Sequence, residues 1–360
     1  LYNEWLKEKG KSEKASNSNW KPLGPTKVPI ILSNGKNRGV GRINAIAFDP
    51  YDQNIIYVGS PGGGFWKSID GGANWVTTSD DLPVLGVSSI AIDPNNTDII
   101  YIATGDANAS DTYSIGVLKS IDQGDTWSTT GLSYNVSGNK RVNKILINPN
   151  NTDSVFAATN TNIMLSVDGG ISWSNCAPLG RWRDIEFMPG NPSIVYAAKQ
   201  SSGGSNVYRS LDGGGNWSII NNGVASSGKY RPLIAVTPIN PNVIYALYSA
   251  SDYSLHGIYK SIDGGDNWSL QSNSPNILGR DTDGTGTGGQ SWYDLSLGVS
   301  NNDENHLFVG GINLWESTDG GVNWTIEASS GNGNYAYMHV DQHCLEFHPI
   351  TNVPYAGNDG

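Results

Sequence analysis

Ser68-Ile69-Asp70-Gly71-Gly72-Ala73-Asn74-Trp75 is the first of six near-copies of one pattern, Ser-x-Asp-x-Gly-x-x-Trp. The others start at Ser120, Ser166, Ser210, Ser261 and Ser317. Their aspartates are Asp70, Asp122, Asp168, Asp212, Asp263 and Asp319, and half of the 12 tryptophans in the chain close these boxes. Self-similarity at a spacing of roughly 40–50 residues is the mark of a repeat array whose units share one supersecondary design. Within a box, paired glycines allow the positive φ of a tight hairpin. The Ser and Asp side chains can bond turn N–H groups that have no ladder partner. The Trp can wedge against a neighbouring unit. The six aspartates are therefore read as structural.

Upstream of each box an alternating segment ends at Pro or a turn, followed by a short β-rich run. Arg42 to Pro50 with Ile55 to Gly59 is the first example, and His339 to Pro349 with Val353 to Gly357 is a seventh copy with no box after it. Strand-length runs bounded by Gly, Asn, Asp and Pro give four strands per unit. The expected fold is an all-β propeller of four-stranded blades with box hairpins, seven-bladed. Residues 1–17 form an extension with a short helix, and residues 18–360 form the propeller. A strand near 19–23 closes the ring in the incomplete seventh blade, which removes a sheet edge.

The 360 residues carry 22 Lys plus Arg against 33 Asp plus Glu, a formal charge of −11. That balance excludes a nucleic-acid partner, which requires a basic face, and disfavours an anionic membrane surface. No run has transmembrane length. Cys176 and Cys344, the only cysteines, fall in blades three and seven and are expected as unbridged thiols.

In a propeller the starts of the innermost strands line the central channel. Counting back from each Pro brings Arg42, Arg141, Arg181, Arg183, Tyr293, Asp341 and His343 to that face. Such a ring suits a carboxylate, sulfate or sugar, because Arg makes bidentate contacts; internal pairing of Arg181 or Arg183 with Asp184 is the other reading. His339, Asp341 and His343 alternate, so a strand would aim all three at one face, for ligand contact or a metal such as zinc. Trp182 and Trp292 sit near the starts of inner strands and are candidate sugar-stacking groups. The oxygen-rich loop from Asp281 through Asp283 to Gly289 could hold Ca2+; no other cofactor is implied.

The boxes resemble those of the Asp-box (BNR) propellers, a group that includes sialidases, family-74 xyloglucan-cleaving glycoside hydrolases, sortilin-type receptors and a photosystem II assembly factor. The chain is most similar to large secreted, sortilin-like or glycosyl-hydrolase-like proteins of Bacteroidetes. Trp20 to Pro25, Gly39 to Asn44, Pro61 to Ser68, Gly310 to Trp315, His339 to His343 and Tyr355 to Gly360 carry that resemblance. It implies secretion or surface attachment, a type IX secretion signal, contact with secretion machinery and a chain continuing beyond residue 360. It also implies two carboxylates if the chain is a family-74 hydrolase. The blade-one phrase that bears one of them in that family here reads Ser60-Pro61-Gly62-Gly63, without a carboxylate. Asp106 and Asp359 occupy comparable places in blades two and seven and are the acid/base candidates. The first expectation is a binding or scaffold module for a glycan or an extracellular protein; the alternative is a xyloglucanase-type hydrolase of β-glucans.

Overall fold

The computed structural model describes residues 41–109, 111–202, 204–331 and 335–360. Its strands form antiparallel sheets in simple up-and-down order, each strand hydrogen-bonded to its sequence neighbour. Blade one is Ala45–Phe48, Ile56–Ser60, Gly64–Ser68 and Val76–Thr77, innermost strand first. Blades two to six repeat this scheme, with innermost strands Val87–Ile92, Val142–Ile147, Arg181–Met188, Lys229–Val236 and Ser296–Val299. Blade six adds a fifth strand, Ala336–Tyr337, paired in parallel.

The β-propeller expectation holds, and the count of seven blades does not. Six sheets have four strands or more; the remaining sheet pairs Cys344–Phe347 with Pro354–Gly357 and has two strands among the described residues. This small sheet lies between blades six and one, touching the inner strands of both. The Ile43 amide donates to the Asn358 carbonyl at 2.9 Å across that seam. The extension over 1–17 and the closing strand near 19–23 lie outside the described residues.

Each box folds as its residues dictate. In blade one, Ser68 Oγ donates to Asp70 Oδ1 at 2.9 Å and accepts the Gly72 amide at 2.8 Å. Asp70 accepts both the amide and the side-chain nitrogen of Asn74, at 2.8 and 2.7 Å. The Trp75 indole donates to the Gly72 carbonyl at 3.0 Å, and Gly72 sits at φ +91°, which a side chain would strain. The wedge role also holds. Trp127 of blade two meets Phe65 of blade one edge-on at 4.9 Å, and the Trp324 indole of blade six donates to Ser272 of blade five at 2.9 Å.

Further rivets come from the strands before the boxes. The Tyr101 hydroxyl and Lys119 ammonium of blade two both donate to the Gly169 carbonyl in the blade-three box, at 2.8 and 3.0 Å. Tyr196 and Arg209 of blade four treat Gly264 of blade five the same way, at 3.1 and 2.7 Å. Apolar cores accordingly lie between adjacent sheets, for example Phe156, Val195 and Ile185 between blades three and four. Both cysteines are free thiols.

Candidate functional site at the channel mouth

The innermost strands surround a central cavity of about 460 Å3 whose lining includes Asn44, Asn108, Lys144, Arg183, Arg231 and His343. A loop after the second strand of blade two crosses its mouth. Gly105, at φ +104°, turns the chain inward where a Cβ would meet the Ser114 backbone at 3.0 Å. Asp106 follows, with no exposure. Its carboxylate accepts Arg42 Nη2 at 2.6 Å, Asn44 Nδ2 at 3.2 Å and the amides of Asn108 and Asp111 at 2.9 and 3.2 Å. A carboxylate so buried and so fully bonded anchors the loop and cannot meet a substrate, so Asp106 is corrected from acid/base candidate to structural anchor.

From that anchor the loop reaches the far side of the ring. The Ala107 carbonyl accepts Arg183 Nη1 at 2.9 Å, and Asn108 Oδ1 accepts Arg231 Nη2 at 2.8 Å. Because Arg can only donate, the Asn108 oxygen is fixed toward Arg231, and its Nδ2 faces His343 Nδ1 at 3.1 Å. That makes Nδ1 the acceptor and leaves the Nε2 proton to donate to Asp359 Oδ1 at 2.8 Å.

Asp359 follows the last strand of the small sheet. The Tyr293 hydroxyl donates to its Oδ2 at 2.8 Å and accepts Arg42 Nη1 at 2.9 Å. Burial opposes ionisation of Asp359, but the His343 and Tyr293 hydrogen bonds and the nearby Arg42 charge outweigh it and hold the carboxyl below its ordinary range. Burial pushes the Tyr293 hydroxyl up to about 12. The Trp292 ring lies 5.4 Å from Tyr293 and is 45% exposed, so an open indole face adjoins the clamped carboxylate.

A second carboxyl pair lies nearby. Asp294 is 1% exposed, and burial, then the neighbouring Asp341, pushes its carboxyl up to about 9. It is therefore protonated at neutral pH, with neither of its oxygens hydrogen-bonded among the described residues, and its neighbour Asp341 accepts Gln290 Nε2 at 3.1 Å. Burial and the Asp359 charge raise Asp341 as well. The two carboxyls Asp341 and Asp359 are thus pushed in opposite directions.

Of the residues singled out in the sequence, Arg42, Tyr293, Asp341, His343 and Asp359 converge on this mouth. The His339–Asp341–His343 strand does not form: these residues precede the strand that begins at Cys344, and Asp341 takes φ +67°. His339 bonds its neighbour Val340 through Nδ1, at 3.3 Å, and no group of three potential metal ligands occurs among the described residues. That statement also covers Asp281 and Asp283; Asp283 caps its own turn by accepting the Thr285 amide at 3.0 Å. Trp182 is fully buried, packed edge-on to Tyr208 at 4.9 Å with its indole bonded to Pro178, so it offers no face to a sugar. Asp184 pairs with Lys144 at 2.8 Å; it makes no ion pair with Arg181 or Arg183 among the described residues.

Arg231, Asn108 and Asp294 were not foreseen. Arg231 lies in a register shift between Lys229 and Pro232, so it escapes simple alternation, whereas Arg183 lines the cavity as counted despite a shift between Trp182 and Asp184. The Pro within Tyr230-Arg231-Pro232 was the available signal, because proline in a strand marks a bulge or edge.

No family model matches the chain. It is similar to a xyloglucanase of Paenibacillus sp, 26% identical over 344 residues that cover 80% of this chain and 31% of that protein. A xyloglucanase of Acetivibrio thermocellus, Xgh74A, is 22% identical over 79% of this chain and 38% of its own. The chain thus spans about a third of the length of these curated relatives. Among solved structures, the GH74 xyloglucanase of Xanthomonas campestris superposes with a TM-score of 0.64 at 16% identity, covering 89% of this chain and 51% of that one. That likeness establishes the shared propeller fold.

Proposed function

We propose that this chain is a propeller unit of a secreted or surface-attached glycoside hydrolase of xyloglucanase type, acting on β-glucan polysaccharides. Support comes first from the clamped carboxylate Asp359, ionised between His343 and Tyr293 beside the exposed Trp292. Glycosidases use one ionised and one protonated carboxyl about 5–10 Å apart. Groups whose surroundings push their pKa values apart are the natural pair for those roles. Asp359 is the base or nucleophile in this reading, Asp341 with its proton-bearing neighbour Asp294 is the acid, and Trp292 is the sugar platform. The similarity to xyloglucanases favours hydrolysis over the binding or scaffold role.

The test is reducing-end release from a panel of β-glucans by the longest secreted form of the protein. Release that falls about 100-fold or more in Asp359→Asn, with the fold intact, is expected from loss of a catalytic carboxylate. Equal release by Asp359→Asn would sink the assignment. Binding of the same glucans without any release would return the protein to the binding reading, which the missing carboxylate at Ser60-Pro61-Gly62-Gly63 favours.

A further inference from the structure

Asn108 stands where an aspartate would be the ordinary choice. Its Oδ1 accepts Arg231 Nη2 at 2.8 Å, and a carboxylate in that place would add charge to the bond. Both residues are buried, so water does not compete for the contact. An amide offers one thing that a carboxylate lacks, a donor. Here that donor, Nδ2, faces His343 Nδ1 at 3.1 Å.

His343 is equally confined. Its side chain has no exposed surface, and the Tyr293 ring stands edge-on to the imidazole at 4.7 Å. Its backbone amide donates to the Gly357 carbonyl at 2.8 Å, which ties it to the last strand of the small sheet. Turning the ring over would set carbon atoms against both Asn108 and Asp359, so each nitrogen keeps the partner it has.

Asn108 reaches this point from blade two. It lies 235 residues from His343 and 123 from Arg231. Its own amide N–H is held by Asp106 Oδ1 at 2.9 Å, so the side chain projects from a fixed backbone. Donation then runs one way: Arg231 to Asn108, Asn108 to His343, His343 to Asp359. Because Arg231 can only donate, none of the later steps can reverse. A second proton on the ring would sit on Nδ1 and meet the Asn108 donor head-on.

We propose that Asn108 is a positioning residue: its amide keeps His343 in the Nε2–H tautomer, so that the imidazole serves Asp359 as a fixed hydrogen-bond donor and not as a paired cation. This assignment rests on the reading of Asp359 as the base or nucleophile and deepens it. A carboxylate aimed by a donor, and not paired with an imidazolium, keeps more of the basicity that either role needs.

The test joins a spectroscopic readout to turnover. In 15N spectra of protein labelled at its five histidines, the signal that disappears in His343→Gln belongs to His343. It should show a protonated Nε2 and a bare Nδ1. In Asn108→Asp a carboxylate accepts where the amide donated, so a proton should appear on Nδ1. A purely structural Asn108 would move the melting temperature and leave that tautomer alone. A parent spectrum with the proton on Nδ1, or an Asn108→Asp spectrum equal to the parent's, overturns the proposal.

Turnover is measured on the β-glucan that the parent hydrolyses. Asn108→Asp, shown folded, should lose about tenfold in kcat, the scale on which a neighbouring cation weakens a carboxylate as a base, with KM little changed. His343→Gln offers the same two groups, an acceptor for Asn108 and a donor for Asp359, on a side chain that does not titrate. It should turn over about tenfold faster than His343→Ala, which leaves Asp359 without that donor. Equal rates for these two variants would mean that a donor and acceptor do not replace the ring, and would overturn the positioning role. Release by the parent that persists undiminished in Asn108→Asp removes the positioning role alone. No release by the folded parent from any β-glucan overturns the hydrolase reading and this one together.

Discussion

Arg42 shows how one side chain can organise a mouth built from distant parts of the chain. Its guanidinium meets Asp106 of blade two at 2.6 Å, the Tyr293 hydroxyl of blade six at 2.9 Å and the Tyr293 ring at 5.3 Å. Burial alone would lower its pKa; the Asp106 charge and the Tyr293 bond reverse that and raise it. The pair is buried on one side only, Asp106 having no exposed side-chain surface and Arg42 11%. Removing the guanidinium therefore leaves a desolvated carboxylate behind, which costs about 3–5 kcal/mol where a buried pair is broken. Arg42→Met should lose stability of that order in urea unfolding. The double variant Arg42→Met with Asp106→Asn should recover much of it, because an amide tolerates burial with its remaining donors. A double variant no more stable than the single would contradict the pairing. Asp106→Asn alone should also keep any hydrolytic activity that Asp359→Asn removes, which separates anchor from catalyst.

At the level of the blade, stability depends on how far each box tryptophan is covered. Trp127 is 8% exposed and packs edge-on to Phe65, whereas Trp75 is 36% exposed. The difference follows from position, because Trp75 belongs to blade one, beside the two-stranded sheet. Trp127→Ala should cost about 3–5 kcal/mol, as expected for truncating a buried aromatic, and Trp75→Ala about 1 kcal/mol or less. Equal losses by chemical denaturation would refute the graded wedge. This level of organisation was the most legible in the sequence, because a box is local: its Ser, Asp and Gly bond to each other within eight residues; the blade count was not, since the seventh phrase forms a two-stranded sheet. The channel mouth was legible only in part. Counting from each Pro assumed strict alternation, and the register shift beside Arg231 broke it. The path of the loop through Asp106, Ala107 and Asn108 depends on contacts with residues from 62 to 235 positions away, such as Asn44 and His343, which no local pattern encodes. The alternating His339-Val340-Asp341-Gln342-His343 read as a strand because its period is two, but Asp341 adopts a left-handed turn conformation instead.

Across the whole ring, acids in the boxes and acids inside the channel respond to pH in opposite senses. Asp168, Asp212 and Asp263 are held down to about 2, chiefly by hydrogen bonds from Ser172, Asn216 and Asn267. Their folded pKa lies below the unfolded value, so their contribution is present above about pH 4 and lost as pH falls toward 2. Asp294 is pushed up to about 9, with burial as the leading cause; Glu346, which lines the channel near Glu186 and Lys144, is pushed up to about 7, but its side chain is exposed, so solvent screens its share of the effect. For these two the folded pKa lies above the unfolded one. Their protonated forms favour the fold below about pH 4, and that advantage is lost as pH rises through 7 and then 9. Stability should accordingly peak on the acidic side, between about pH 4 and 6, and decline toward pH 9. Net self-repulsion of an acidic chain would produce a similar alkaline decline, so variants must separate the two causes. Glu346→Gln with Asp294→Asn should flatten the alkaline limb of a melting-temperature profile while leaving the acid limb unchanged, whereas neutralising two exposed acids such as Asp80 and Asp98 should leave its slope intact. An alkaline limb that survives the channel substitutions would mean that the buried carboxyls are ionised in the folded protein, and the protonated Asp294 required to support Asp341 as an acid would be lost with it.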